Sequence, residues 1–140
     1  MTATSSLAGD TAEQLQSAAR KAAENAYAPY SGFRVGAALL FEDGFIATGC
    51  NVENVSYGLT ICAERNALFS AVAQRGSAHK IVAIAVTNLN GAPSPPCGAC
   101  RQVLSEFVSP SAVISFPSDN GPESRPFAEI FPFFFHLDPK

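Results

Sequence analysis

Apolar positions along the chain change period several times. Leu15, Ala18, Ala19, Ala22 and Ala26 recur at helical spacing and form one small-residue face. Asp10 with Glu13, or Thr11 with Gln14, can form a capping box, so a first helix is expected from there to just before Pro29. Residues 35–41 are apolar on both faces, as in a strand covered on two sides. Glu42-Asp43-Gly44 reads as a tight turn, and 45–50 as a second strand pairing back in a hairpin. A polar loop over 51–59 then leads to a second helix over about 62–74. Its expected buried stripe is Ala67, Leu68, Ala71 and Val72, with Gly76 as the C-terminal cap.

Residues 81–86 form an unbroken apolar run, the pattern of a central strand. A third helix is expected near Cys97, carrying Val103, Leu104 and Phe107 inward, and 112–116 reads as another strand. Asp119-Asn120-Gly121-Pro122 is a turn signal, and a short last helix is expected at Pro126, which suits a first helical position. Helices alternating with short apolar strands predict an α/β fold, a three-layer α/β/α arrangement around a mixed sheet of about five strands. Neither a repeat nor a domain boundary appears. Residues 10–140 are expected to form one domain behind a frayed tail at 1–9.

Composition narrows the function classes. The chain is 47% hydrophobic and 15% charged, too apolar for a disordered protein and thin in polar surface for a monomer. Its net charge is -3 with no Lys/Arg cluster, whereas phosphate-backbone binding needs many cationic contacts, so a nucleic-acid polymer is excluded as partner. No apolar run reaches the length of a membrane span. The first residues lack the charged-then-apolar order of a secretory leader, so the expected location is cytoplasmic. Four cysteines in a reducing compartment point to metal binding or catalysis rather than disulfides.

Those cysteines carry the chemistry. Cys62-Ala63-Glu64-Arg65 and Pro96-Cys97-Gly98-Ala99-Cys100-Arg101-Gln102 both stand where a loop enters a helix. A helix N-terminus carries unpaired N–H groups and partial positive charge, which favours the thiolate that binds zinc. Cys97 and Cys100 share a helical face, and Glu64 stands near the thiols without needing to bind the metal. That is the arrangement of a general acid/base beside a metal-activated water. The guanidinium of Arg65 would offset the charge that three thiolates leave on zinc.

Rival readings stay open at this level. Cys50 could close a structural four-cysteine site with no place for water. Cys97 and Cys100 have the spacing of a redox pair, though this leaves Cys62 and Glu64 unused. A glutamate in a first helical turn is often only a dipole partner. Phe33 alone would be core, and Asn51 with Glu53 alone an ordinary polar loop.

A Cys-x-Glu followed by Pro-Cys-x-x-Cys is the arrangement of zinc deaminases. Together with Tyr30-Ser31-Gly32-Phe33-Arg34-Val35-Gly36-Ala37-Ala38 and Gly49-Cys50-Asn51-Val52-Glu53-Asn54, it makes the chain resemble a cytidine deaminase of the small, homotetrameric class. The similarity runs over about 12–137. The resemblance implies one zinc per subunit held by Cys62, Cys97 and Cys100. It implies that Glu64 moves protons from water to the pyrimidine N3 and then to the leaving ammonia. Cytidine and 2′-deoxycytidine would be the substrates, with Asn51 and Glu53 on the ribose, Phe33 beside the nucleoside and the Ala63 backbone on the base edge. Arg65 and Gln102 would support the metal, and Tyr57 and Phe135 would reach a neighbouring subunit's site.

Another cytosine-type compound such as blasticidin S, or a non-catalytic zinc-stabilised interaction domain, are the alternatives. The tail departs from the family. Phe133 and Phe134 stand where smaller residues commonly precede the last Phe, and with Phe127, Phe131 and Phe135 they are expected at a subunit interface.

Overall fold

The computed structural model describes residues 9–139. The expected tail over 1–9 therefore lies outside the described residues, except Gly9, which opens the first helix. The order is α1 (Gly9–Ala23), β1 (Val35–Phe41), β2 (Ile46–Cys50), α2 (Ala63–Arg75), β3 (Ile81–Asn88), α3 (Gly98–Ser105), β4 (Val108–Ser118), β5 (Gly121–Pro126) and α4 (Phe127–Ile130), with a 3₁₀ turn at Tyr57–Leu59. The sheet runs β2-β1-β3-β4-β5. Only β3 and β4 are parallel, and the other neighbours are antiparallel. The predicted mixed five-stranded sheet between helical layers is what forms.

Two apolar layers cover its faces. Leu15 and Ala19 of α1 pack on Ala38, Ala83, Ala85 and Val113. On the other face Ala67, Leu68 and Ala71 of α2 and Leu104 of α3 pack on Leu39, Ile84, Val86 and Ile114. Strand residues alternate between these layers because successive side chains point to opposite faces. Small residues let the helices sit close. A Cβ on Gly36 would meet the Ala19 carbonyl oxygen at 1.9 Å, and one on Gly49 would meet the Ala67 nitrogen at 2.4 Å. Gly49 thus seats the start of α2 directly on β2, where the candidate site lies.

The structure differs from the sequence expectations at several places. α3 ends at Ser105, so Phe107 lies between it and β4 rather than on the helix, and β4 begins at Val108 rather than at 112. α1 ends at Ala23, short of Pro29, and its buried residues are Leu15, Ala19 and Ala23. Val72 is exposed, because Ala67, Leu68 and Ala71 occupy the sheet-facing arc of α2 and Val72 falls on its flank. β5 forms where only a turn was expected. Its Gly-Pro-Glu-Ser-Arg-Pro sequence has no apolar alternation, but it needs only one partner strand, and an edge tolerates proline. Pro126 caps α4 from outside rather than entering it. Among the described residues, no helix is long and apolar enough to cross a membrane.

Candidate active site

Cys62 and Cys97 are the N-cap residues of α2 and α3, both with extended backbone. The Cys97 Sγ accepts the Cys100 backbone N–H at 3.4 Å, so one thiol satisfies an orphan donor of the helix that carries the next. The sulfurs of Cys62, Cys97 and Cys100 all lie within 4.8 Å of one another, with Cys62 and Cys97 at 3.9 Å. Thiolates on a tetrahedral zinc at about 2.3 Å stand roughly 3.8 Å apart, so the group fits one such ion. Among the described residues neither Cys50 nor Glu64 belongs to it. A fourth protein ligand from Cys50 is therefore not in place, and the structural four-cysteine reading loses its closing residue.

The thiols do not share charge equally. Hydrogen bonding from Cys100 pulls the Cys62 thiol down to about 5, helped by Arg65 and Cys97 against the cost of burial. The same bond pushes Cys100 up, so the first proton leaves Cys62 while Cys100, fully buried, retains its own. Metal binding must displace that proton. The Arg65 Nη2 donates to the Cys62 Sγ at 3.6 Å, and its Nε is buried with no hydrogen-bond partner among the described residues. A partly buried guanidinium donating to a thiol matches an anionic cluster.

Glu64 follows in the first turn of α2 and is 4% exposed. Burial raises its carboxyl to about 7, the Cys62 charge adds to this, and its backbone N–H and Arg65 oppose it. A carboxyl balanced near neutral pH can both take and give a proton. It opens on a cavity of about 200 Å³ with Phe33, Asn51, Cys62, Ala63 and Cys97. Six of the residues singled out from the sequence therefore meet at one cavity.

Other predicted residues lie elsewhere. Glu53 and Tyr57 line an adjoining cavity of about 350 Å³, and Thr60 borders both. The Glu53 carboxylate accepts from the backbone N–H groups of Tyr30 and Ser31 and from the Ser31 hydroxyl, and that last bond lowers its pKa most. Asn51 is buried, accepting from the Val35 N–H at 2.9 Å and donating to the Phe33 carbonyl at 2.8 Å. Both residues thus brace the loop that carries Phe33. The Gln102 Nε2 donates to the Phe135 carbonyl at 3.1 Å, tying α3 to the C-terminal segment. Phe131 stacks on Phe134 at 5.6 Å and packs edge-on against buried Phe127, which leaves Phe133 and Phe135 outward.

Five lining residues were not among the site residues expected from the sequence: Val35, Thr60, Val86, Ser94 and Pro95. Ser94 and Pro95 lie directly before the Cys97 motif, and that adjacency was the available signal. Backbone pairing explains how the loop delivers the site. Val52 bridges both Tyr27 and Ile61, so the chain on either side of the 3₁₀ turn is stitched down just before Cys62. The Asn66 Nδ2, one turn into α2, donates to the Cys50 carbonyl at 2.8 Å and fixes the helix to the end of β2.

This cluster is that of the zinc-dependent deaminases. The family model of the cytidine and deoxycytidylate deaminase zinc-binding region matches residues 10–116, and the chain belongs to that family. It is 46% identical over 121 residues to a cytidine deaminase of Sporosarcina psychrophila, covering 86% of this chain and 88% of that one. With a cytidine deaminase of Halalkalibacterium halodurans it shares 56% identity over 87 residues, 62% of this chain and 64% of that protein, a little under two thirds of the latter's length. The crystal structure of cytidine deaminase from Burkholderia pseudomallei superimposes with a TM-score of 0.80 at 45% identity, covering 88% of this chain and 98% of the other. The domain is a zinc-binding deaminase domain in which Cys62, Cys97 and Cys100 are positioned to hold a metal ion, and the fold is that of the cytidine deaminases.

Proposed function

We infer that the protein is a hydrolase that deaminates cytidine and 2′-deoxycytidine to uridine and 2′-deoxyuridine, releasing ammonia. One observation carries this reading. Buried Glu64, two residues after Cys62, faces a pocket edged by two of the three converging thiols. Cys62, Cys97 and Cys100 would hold zinc, which when bound supplies a Lewis acid that makes a water reactive near neutral pH. Glu64 takes a proton onto its carboxylate and returns protons to N3 of the base and to the departing amine. Its near-neutral balance suits both directions of transfer. The Ala63 backbone borders the base, and Phe33 flanks it. After the hydrogen bond from Cys100, Arg65 helps to keep Cys62 ionised from its place on α2.

The sugar end belongs to the polar loop. Asn51 and Glu53 lie on the segment between β2 and Cys62, and their short oxygen and amide groups suit ribose hydroxyls. Gln102 acts at one remove, by holding the Phe135 carbonyl beside α3.

The working form is a cytoplasmic homotetramer in which subunits complete each other's sites. Tyr57 is 79% exposed, Phe133 104% and Phe135 70%, aromatic side chains that a subunit contact would cover. Incubating zinc-loaded protein with cytidine tests the activity: loss of cytosine absorbance with one ammonia per uridine supports it, and unchanged cytidine removes it.

A further inference from the structure

Phe33 sits in an irregular stretch between Gly32, whose φ is 70°, and the start of β1. Backbone bonds tie its neighbours, with the Gly32 N–H donating to the Ala28 carbonyl at 2.9 Å and the Leu89 N–H to the Arg34 carbonyl at 3.0 Å, and side chains bond the backbone of Phe33 itself. Two of its ties run through the residues assigned to the sugar. The Phe33 N–H donates to the Ser31 Oγ at 2.9 Å, and Ser31 is itself bonded to the Glu53 carboxylate. The Phe33 carbonyl accepts from the Asn51 Nδ2 at 2.8 Å.

The opposite side is held by a different residue. The Asn90 Oδ1 accepts the Arg34 N–H at 3.0 Å, and its Nδ2 donates to the Gly32 carbonyl at 3.0 Å. One amide side chain thereby bonds the residue before Phe33 and the residue after it. Asn90 is not among the residues lining the pocket. Its own place is set by buried Asn88, whose Oδ1 accepts the Asn90 N–H at 3.0 Å. The Asn88 Nδ2 donates to the Ala92 carbonyl and to the Ser94 hydroxyl, and Ser94 lines the pocket.

We propose that Asn90 is a positioning residue for substrate binding, fixing the Phe33 wall by bracketing it between hydrogen bonds to Gly32 and Arg34. The proposal rests on the reading of this pocket as the nucleoside site. Its physical basis is a division of labour. Sugar hydroxyls that engage Glu53 and Asn51 compete with the bonds these residues make to the Phe33 loop. The Asn90 bonds go only to backbone groups away from the pocket, so they persist when substrate binds. Asn90 makes no hydrogen bond to α2 or α3, which carry the thiols and Glu64. Its loss should therefore weaken binding without disturbing proton transfer or metal.

The test is steady-state kinetics on zinc-loaded Asn90→Ala, with zinc content and hydrogen exchange measured on the same samples. The expected result is a KM for cytidine raised about tenfold, as for one to two lost hydrogen bonds, with kcat within about twofold. Zinc should remain at one per chain, and amide exchange should quicken over 32–35 but not in α2 or α3. Asn90→Asp offers a same-shaped second variant if the alanine form folds poorly. It keeps the acceptor for Arg34 but places a carboxylate oxygen against the Gly32 carbonyl, so KM should rise there too. An unchanged KM in an active Asn90→Asp or Asn90→Ala enzyme overturns the proposal, as does a fall in kcat and zinc together with KM. An inactive zinc-loaded parent would instead overturn the nucleoside reading itself.

Discussion

The metal end and the proposed sugar end of the site, which spans the pocket and its adjoining cavity, are built by opposite means. At the metal end, Cys62, Glu64, Cys97 and Cys100 lie in the first turns of two helices, and helix geometry alone sets most of their spacing. At the sugar end, Asn51, Glu53 and Phe33 lie on irregular segments held by side chains far away in sequence. A rigid terminus suits groups that must stay fixed through proton transfer. A loop tied by exchangeable hydrogen bonds suits groups that meet a varied sugar. On the proposed reading, the difference predicts that substrate affinity and chemistry are separately alterable in this protein.

The largest expected effect comes from removing part of the metal end. Cys100→Ala should lose bound zinc and bring turnover to background, because two remaining thiols do not make a three-ligand site. Metal analysis of the purified variant checks this, and retained stoichiometric zinc would show that another residue holds the ion.

At the sugar end the effect should be smaller and of another kind. Glu53→Ala removes a carboxylate that accepts three hydrogen bonds from Tyr30 and Ser31, loosening the Phe33 loop as well as losing a group assigned to ribose. KM for cytidine should rise about 10- to 100-fold, the range for a charged hydrogen bond, with zinc unchanged. Zinc loss in this variant would break the separation between the two ends.

The smallest effect sharpens the metal end. Cys50 lies at the end of β2, outside the group of converging sulfurs. Cys50→Ser should keep one zinc per chain and turnover within about twofold, since a half-buried cysteine outside the reaction mainly contributes packing. A drop in zinc content would return Cys50 to the ligand set.

The same contrast explains what could be read from the sequence. The thiols and Glu64 were legible because their relations span a helical turn, and the loop-to-helix transitions are marked in the local pattern. Strands β1 and β3 were legible because both their faces are covered. β5 was not, since its strand character comes from pairing with β4 rather than from its own residues. Val72 was misplaced because it lies at the margin of the apolar arc of α2, where two of its neighbours already fill the sheet contact. Asn90 lies in the loop between β3 and α3, where the sequence pattern marks no site. Its partners Gly32 and Arg34 lie 58 and 56 residues away, and nothing in the local sequence announces them. Asn51 and Glu53 were singled out by position as expected ribose contacts, but their bracing of the Phe33 loop appears only in three dimensions.

The central claim is that Glu64 is the proton carrier of an open three-cysteine zinc site. Cytidine turnover by zinc-loaded Glu64→Gln, set against the parent protein at equal zinc content, tests it most directly. The account predicts one zinc per chain in both proteins and a rate lower by about 10²–10⁴ in the variant. Turnover equal to the parent's would contradict it.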